Sequence, residues 1–155
     1  MCKICWSLVI VFGVATFGMA YKFIIQGSVE QGTDGRLAIQ LNAGERDFVL
    51  TEMRTFLESV QQITQGITEN NMEMISKAAR MVGNAAQQQA PGPLIAKLPL
   101  EFKKLGFDTH SKFTQLALDA EQLGDKQHTL NQLSELMQNC VACHATYKIE
   151  IAATK

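Results

Sequence analysis

The sequence has little net charge, few aromatic residues and few prolines, and it has no repeats. Its net charge is only −1, so no surplus of basic residues points to nucleic acid. Aromatic residues make up 7% of the chain, prolines number 3 and no repeat of fixed period occurs, which together favour a helical protein over a β-sandwich. The sequence also has no paired carboxylates near a candidate site, no serine or cysteine nucleophile with a base, and no glycine-rich phosphate loop. It therefore does not predict an enzyme, and its 155 residues suit one domain.

A long apolar run is present at the start of the chain. Residues 4–21 carry no charge, and Phe23 to Ile25 extend the run if Lys22 reaches towards the membrane surface. This length predicts a transmembrane anchor over residues 1–26. A signal peptide is the alternative, since Gly18-Met19-Ala20 offers a small-x-small cleavage site after Ala20. Cleavage would leave the apolar YKFII at the new terminus, so we favour a retained anchor; either way the rest of the chain is exported.

The next segment, residues 27–42, reads GSVEQGTDGRLAIQLN. Its glycines and mixed polar residues predict a stalk between membrane and domain, with a short strand through Leu37-Ala38-Ile39. Asn42 then fits a helix N-cap, because Glu45 stands three residues later in capping-box position. We expect the folded domain over residues 43–155.

Within that domain, apolar residues recur at spacings of three and four in separate segments. Pro91-Gly92-Pro93, Pro99 and Gly124-Asp125 separate or start the later segments. The pattern predicts an all-α protein, an antiparallel four-helix bundle that can hold a cofactor between facing helices. The predicted core positions are Val49, Met53, Phe56, Val60, Ile63 and Ile67; Ile75, Ala78, Val82 and Ala85; Phe113, Leu116, Ala120 and Leu123; and Leu130, Leu133, Met137, Cys140, His144 and Tyr147.

The last predicted helix contains CVACHATYK, residues 140–148. Cys140, Cys143 and His144 share one helical face, and this is the spacing of a c-type haem attachment site, in which thiols form thioethers and the histidine ligates iron. A thioredoxin-like redox pair would need a βαβ setting, and a structural zinc site would need four ligands. The pair Cys2 and Cys5 has the same spacing but is followed by Trp6, and we interpret it as membrane-proximal thiols.

A second protein ligand would come from upstream of the motif. In an antiparallel bundle the start of the first helix lies level with the end of the fourth, and Met53 is about ten residues, or roughly 15 Å, along the first helix. A methionine at helical spacing is more often a core residue than a ligand, but its level along the bundle favours Met53 as the distal ligand. His110 and His128 stand among polar residues and are predicted to be solvated.

A bundle with C-x-x-C-H on its last helix, followed by an aromatic and a basic residue, resembles the cytochrome c′ family and its low-spin class II relatives, over about residues 42–150. The resemblance implies one haem c per chain, thioether-linked to Cys140 and Cys143 and ligated by His144 on the proximal side. In the low-spin relatives a first-helix methionine is the sixth ligand, and VLTEMRTFLESV around Met53 is similar to that helix.

The resemblance has departures. In cytochrome c′ proper an apolar residue at the distal position leaves the iron five-coordinate. The family often places an arginine four residues before that position, where this chain has Val49. Arg46, two turns before Met53, and Lys148 are the candidate partners for the haem propionates.

The leading hypothesis is an electron carrier, since an iron held on both faces by His144 and Met53 exchanges electrons with little rearrangement. Its expected place is the bacterial cytoplasmic membrane as a single-pass protein, with the haem domain in the periplasm, near redox protein partners such as membrane respiratory complexes. The family commonly forms homodimers. Two alternatives stay open: a five-coordinate protein that binds nitric oxide or carbon monoxide, and an anchored structural subunit whose haem only stabilises the bundle.

Overall fold

The computed structural model describes residues 3–152. Helix α1 spans Lys3–Ala20 and runs on into a π-helical segment, Tyr21–Gln26. The two together are long and apolar enough to cross a membrane, and none of this stretch is buried in the protein. The prediction of an N-terminal apolar helix, as anchor or signal sequence, is therefore confirmed; Cys2 lies outside the described residues.

The rest of the chain is mostly helical, as predicted. The predicted capping box is present at the start of α2: Asn42 Oδ1 accepts from the Glu45 N–H, and Glu45 Oε2 accepts from the Asn42 N–H. The last long helix begins after Asp125, as expected from the sequence. The helices are α2 (Ala43–Glu69), α3 (Met72–Met81), α4 (Asn84–Gln87), α5 (Gly92–Lys97), α6 (Leu100–Leu123) and α7 (Lys126–Thr146).

The long helices pack against one another through a helical core. Helix α2 contacts α3 and α7, and α6 contacts the same two helices. We call this core the helical cluster; its buried members are Ile63, Ile75, Ala78, Ala79, Val82, Phe113, Leu116, Ala117, Ala120, Leu133 and Leu136. Of the stripe predicted for the last helix, Leu133 lies in this cluster, whereas Leu130, Met137 and His144 are exposed.

A small sheet adds to the predicted all-α fold. Its strands are β1 (Val29–Gln31), β2 (Leu37–Leu41) and β3 (Tyr147–Ile151). Strand β2 pairs antiparallel with β1 and parallel with β3. Tyr147, predicted as the end of the last helical stripe, is therefore the first residue of a strand, because α7 ends at Thr146 and YKIEI alternates apolar and polar residues as a strand does.

The sheet covers a second core, the sheet cluster. Its buried members are Ile39, Leu41, Val49, Leu94, Leu98 and Tyr147. The segment 27–42 thus contributes fully buried side chains to the domain, and the Ser28 N–H donates to the Lys97 carbonyl oxygen at 2.7 Å. The sequence had predicted this segment as a stalk between membrane and domain.

Candidate functional site

A cavity of about 510 Å³ lies among α2, α5, α6 and α7. It is partly open to solvent, since exposed residues such as Leu57 and Met137 line it, and a concave apolar space of this size is typical of a ligand site. Its walls are mainly apolar, with Phe48, Phe56, Leu94, Leu98 and Phe102 among them.

The cysteine motif lies on the wall of this cavity. Cys140, Cys143 and His144 all line it, which agrees with the shared helical face predicted from their spacing. Cys140 packs against the helical cluster, while Cys143, one turn later, packs against the sheet cluster. The motif therefore bridges the two cores where the cavity separates them.

The thiols of the motif are partly buried and are not joined in a disulfide. Burial raises the pKa of both thiols, and that of Cys143 to about 11. A reactive redox pair depends on the opposite effect, a lowered cysteine pKa that favours the thiolate. This environment disfavours the thioredoxin-like reading and suits thiols that serve as attachment points.

Met53 lies on another wall of the same cavity. It is half-buried on α2 and packs against the sheet cluster, as Cys143 does. The structure therefore places all four sequence-predicted site residues, Met53, Cys140, Cys143 and His144, around one space.

Among the described residues, no three His, Cys, Asp or Glu side chains converge to hold a metal ion. A structural zinc site takes four protein ligands. A haem iron needs at most two, because the porphyrin supplies the others. A haem c fits the donor set: an imidazole, a thioether, two thiols and apolar walls.

The end of the motif helix is held by a local cap and by two residues far away in sequence. The Tyr147 N–H donates to the Cys143 carbonyl oxygen, and Arg36 Nη1 donates to the His144 carbonyl oxygen at 3.3 Å. The Tyr147 ring meets that of Phe102 edge-on, with centroids 5.4 Å apart. Sequence reasoning missed Arg36 and Phe102, whose roles depend on contacts that no local pattern reveals.

The prediction that His110 is solvated is wrong. The side chain is 5% exposed and lines the cavity. Its Nδ1 lies 2.7 Å from the Val82 carbonyl oxygen, and its Nε2 lies 3.4 Å from Glu52 Oε1. Burial by itself lowers the pKa of His110, but the hydrogen bonds to Glu52 and Val82 outweigh it, so the pKa is raised.

His128 lies elsewhere. It is partly exposed, with Nε2 3.3 Å from Asp119 Oδ2, and is not part of the cavity wall. The polar neighbours DTHSK and KQHTL looked alike in sequence. The difference arises because His110 is on the face of α6 turned towards α2, where the Phe56 ring lies 5.0 Å away between centroids.

The two candidate propionate partners do not line the cavity. Arg46 pairs with Asp47 at 3.4 Å. Lys148 lies in β3 and pairs with Glu150 at 2.7 Å. The cationic side chains on the cavity wall, apart from the histidines, are Arg54 and Lys103.

Comparison with family models, with curated proteins and with solved structures finds no match for this chain. The likeness to the cytochrome c′ family therefore stays a prediction from the sequence.

Proposed function

We propose that this chain is a membrane-anchored c-type cytochrome that carries electrons on the periplasmic side of a bacterial cytoplasmic membrane. The observation that carries the proposal is the convergence of Cys140, Cys143, His144 and Met53 on one apolar cavity. Separately in the sequence each has an ordinary structural explanation. Around one cavity they form the donor set of a covalently held, six-coordinate haem.

In this proposal each residue has one task. Cys140 and Cys143 hold the haem as thioethers, which ties it to both the helical and the sheet cluster. His144 and Met53 would hold the iron of a bound haem, which would leave no place for an exchangeable ligand or a substrate. Haem, when bound there, supplies an iron that cycles between the ferric and ferrous states.

The surroundings suit electron transfer rather than ligand exchange. A thioether ligand raises the reduction potential of the iron relative to a second imidazole, and apolar walls make its surroundings less polar. The four long helices, in this proposal, form the antiparallel bundle of the class II cytochromes. The contacts of α2 with α3 and α7, and of α6 with the same helices, support that arrangement.

The proposal is tested on the full chain produced in a bacterium with a c-type maturation system. We expect one haem per chain that stays with the polypeptide through extraction with acidified organic solvent. The matched control is the Cys2→Ala/Cys5→Ala variant, which should keep its haem because that pair has no following histidine. Haem that leaves the wild-type polypeptide, or a chain that carries none, would contradict the proposal.

A further inference from the structure

The charged side chains on the cavity wall differ in solvent exposure and in whether a group of opposite charge lies beside them. Glu52 and His110 face each other at 3.4 Å. In residues 3–152 Arg54 has no carboxylate partner, but it is exposed to water and donates to Thr51 Oγ1 at 2.8 Å. Lys103 is partly buried, and in residues 3–152 no carboxylate lies within ion-pair distance of its Nζ. Lys103 is thus a cation on an apolar wall without an anionic partner in the described chain.

The contacts of Lys103 are with backbone carbonyls. Its Nζ donates to the Ile24 carbonyl oxygen at 3.1 Å and to that of Phe23 at 3.4 Å, both in the π-helical segment that ends the membrane helix. An ammonium group has three N–H donors, so these contacts leave one free. Burial lowers the pKa of Lys103.

We propose that Lys103 is the anion-binding residue of the cavity and takes a propionate carboxylate of the bound haem. The inference rests on the proposed function, because it is the haem that brings a carboxylate into this cavity. Glu52, the carboxylate among the lining residues, is directed at His110 and leaves Lys103 available. A charge-assisted hydrogen bond to a carboxylate would use the remaining donor and offset the buried charge.

This assignment also links the cofactor to the membrane helix. Lys103 would hold the carbonyl end of that helix and a haem carboxylate at once. Arg46 and Lys148, the partners expected from sequence, belong to ion pairs away from the cavity.

The test compares porphyrins that differ only in their carboxylates. The full chain, produced without haem attachment and held reduced in detergent micelles, is titrated with zinc protoporphyrin and with its dimethyl ester, followed by porphyrin fluorescence. We expect Lys103→Gln to weaken binding of the diacid about tenfold and of the ester less than about twofold, since only the diacid can form the charge-assisted bond. Lys103→Arg should retain diacid binding to within about threefold.

The adjacent lysine provides the matched control. Lys104 pairs with Glu101 at 2.7 Å and does not line the cavity, so Lys104→Gln should leave both affinities unchanged. Equal weakening of diacid and ester by Lys103→Gln would overturn the inference alone, since the lysine would then act only on the helix junction. An equal loss in Lys104→Gln would also overturn it, as general charge attraction. A wild-type chain that keeps its helical circular dichroism in the micelles but binds neither porphyrin would overturn the haem proposal and this inference together.

Discussion

The ammonium group of Lys97, at the end of α5, lies 2.7 Å from Oε1 of Glu45 in the first turn of α2. The same carboxylate closes the capping box by accepting the Asn42 N–H at 2.9 Å. Burial by itself disfavours ionisation of Glu45, but these two hydrogen bonds outweigh it and lower the pKa of the carboxyl. The Glu45 side chain therefore joins the start of α2 to α5, which lines the cavity.

We predict that Glu45→Gln destabilises the fold by about 1 kcal/mol at pH 7. Because the folded-state pKa is lowered, this contribution is present above the unfolded pKa of about 4.5 and is lost as the pH falls through the folded value. Urea unfolding of the wild type and the variant, repeated from pH 7 down to pH 3, should give stabilities that converge at the acid end. The control is Glu101→Gln, an exposed i,i+3 pair expected to change stability by less than about 0.5 kcal/mol.

A second prediction concerns the junction between the membrane helix and the domain. Gly27 has φ of +66° and ψ of −158°, a conformation open to glycine, and a Cβ there would clash with the Lys97 carbonyl oxygen. Gly35 also has a positive φ, +84°, but a Cβ there meets open space. Gly35→Ala should therefore cost about 1 kcal/mol of strain, and Gly27→Ala about 2 kcal/mol or more.

Trypsin reports on this junction, because Lys22 stands just before it. We expect cleavage after Lys22 to be markedly faster in Gly27→Ala than in Gly35→Ala or the wild type. Equal rates in all three would show that segment 21–28 is not held against α5 and α6.

The sequence predicted the elements whose signals are local. The capping box at Asn42, the helix that starts after Pro99 and the helix after Asp125 all follow from short patterns, and the structure contains each. The pairing of β2 with β3 was not predicted. Tyr147 and Leu37 are partners across most of the chain length, and the helical stripe ending at Tyr147 hid the alternation of YKIEI.

In the site, too, local signals were predicted and long-range contacts were not. Helical periodicity predicts which helix faces carry Met53 and Cys140, and both residues line the cavity. The burial of His110 was missed because it depends on which neighbour covers that face of α6. The place of Lys103 was missed because its partners, Phe23 and Ile24, belong to a segment assigned to the membrane alone.

A third prediction follows from the cavity between the two cores. Without attachment at Cys140 and Cys143 the space of about 510 Å³ would lose the proposed haem, which is expected to contact both clusters. The Cys140→Ala/Cys143→Ala variant should lose about 3 to 5 kcal/mol if the haem is absent, at least the cost of removing a large buried aromatic side chain. Cooperative thermal unfolding, with the Cys2→Ala/Cys5→Ala variant as control, measures the loss. Unfolding as cooperative and as late as in the wild type would mean that the core is complete without haem.

A fourth prediction concerns the anchor. Helix α1 and the π-helical segment are exposed along their length, and Lys103 holds the end of that segment to the domain. We expect the chain to stay in the membrane fraction through alkaline washing, with the haem domain open to protease in spheroplasts. A soluble periplasmic protein beginning at Tyr21 would show instead that the segment is a signal peptide cleaved after Ala20.

The last prediction separates the electron carrier from a gas-binding protein. If Met53 ligates iron, the oxidised protein should be low-spin with the weak near-infrared methionine-to-iron charge-transfer band, and the reduced protein should resist carbon monoxide.

Two variants test the sulfur itself. Met53→Leu preserves most of the side-chain volume but lacks the sulfur, and Met53→Ala removes both. Either should abolish the band, admit carbon monoxide and lower the midpoint potential, by on the order of 100 mV within the range of about 0.8 V that axial ligands set.

Met137→Ala is the matched control, because Met137 also lines the cavity, from the helix of the motif. Loss of the band in that control would show that Met137, and not Met53, is the iron ligand. A wild-type protein that is high-spin, binds carbon monoxide at once and is insensitive to both Met53 variants would make Met53 a core residue, and the gas-binding function would then replace the electron carrier.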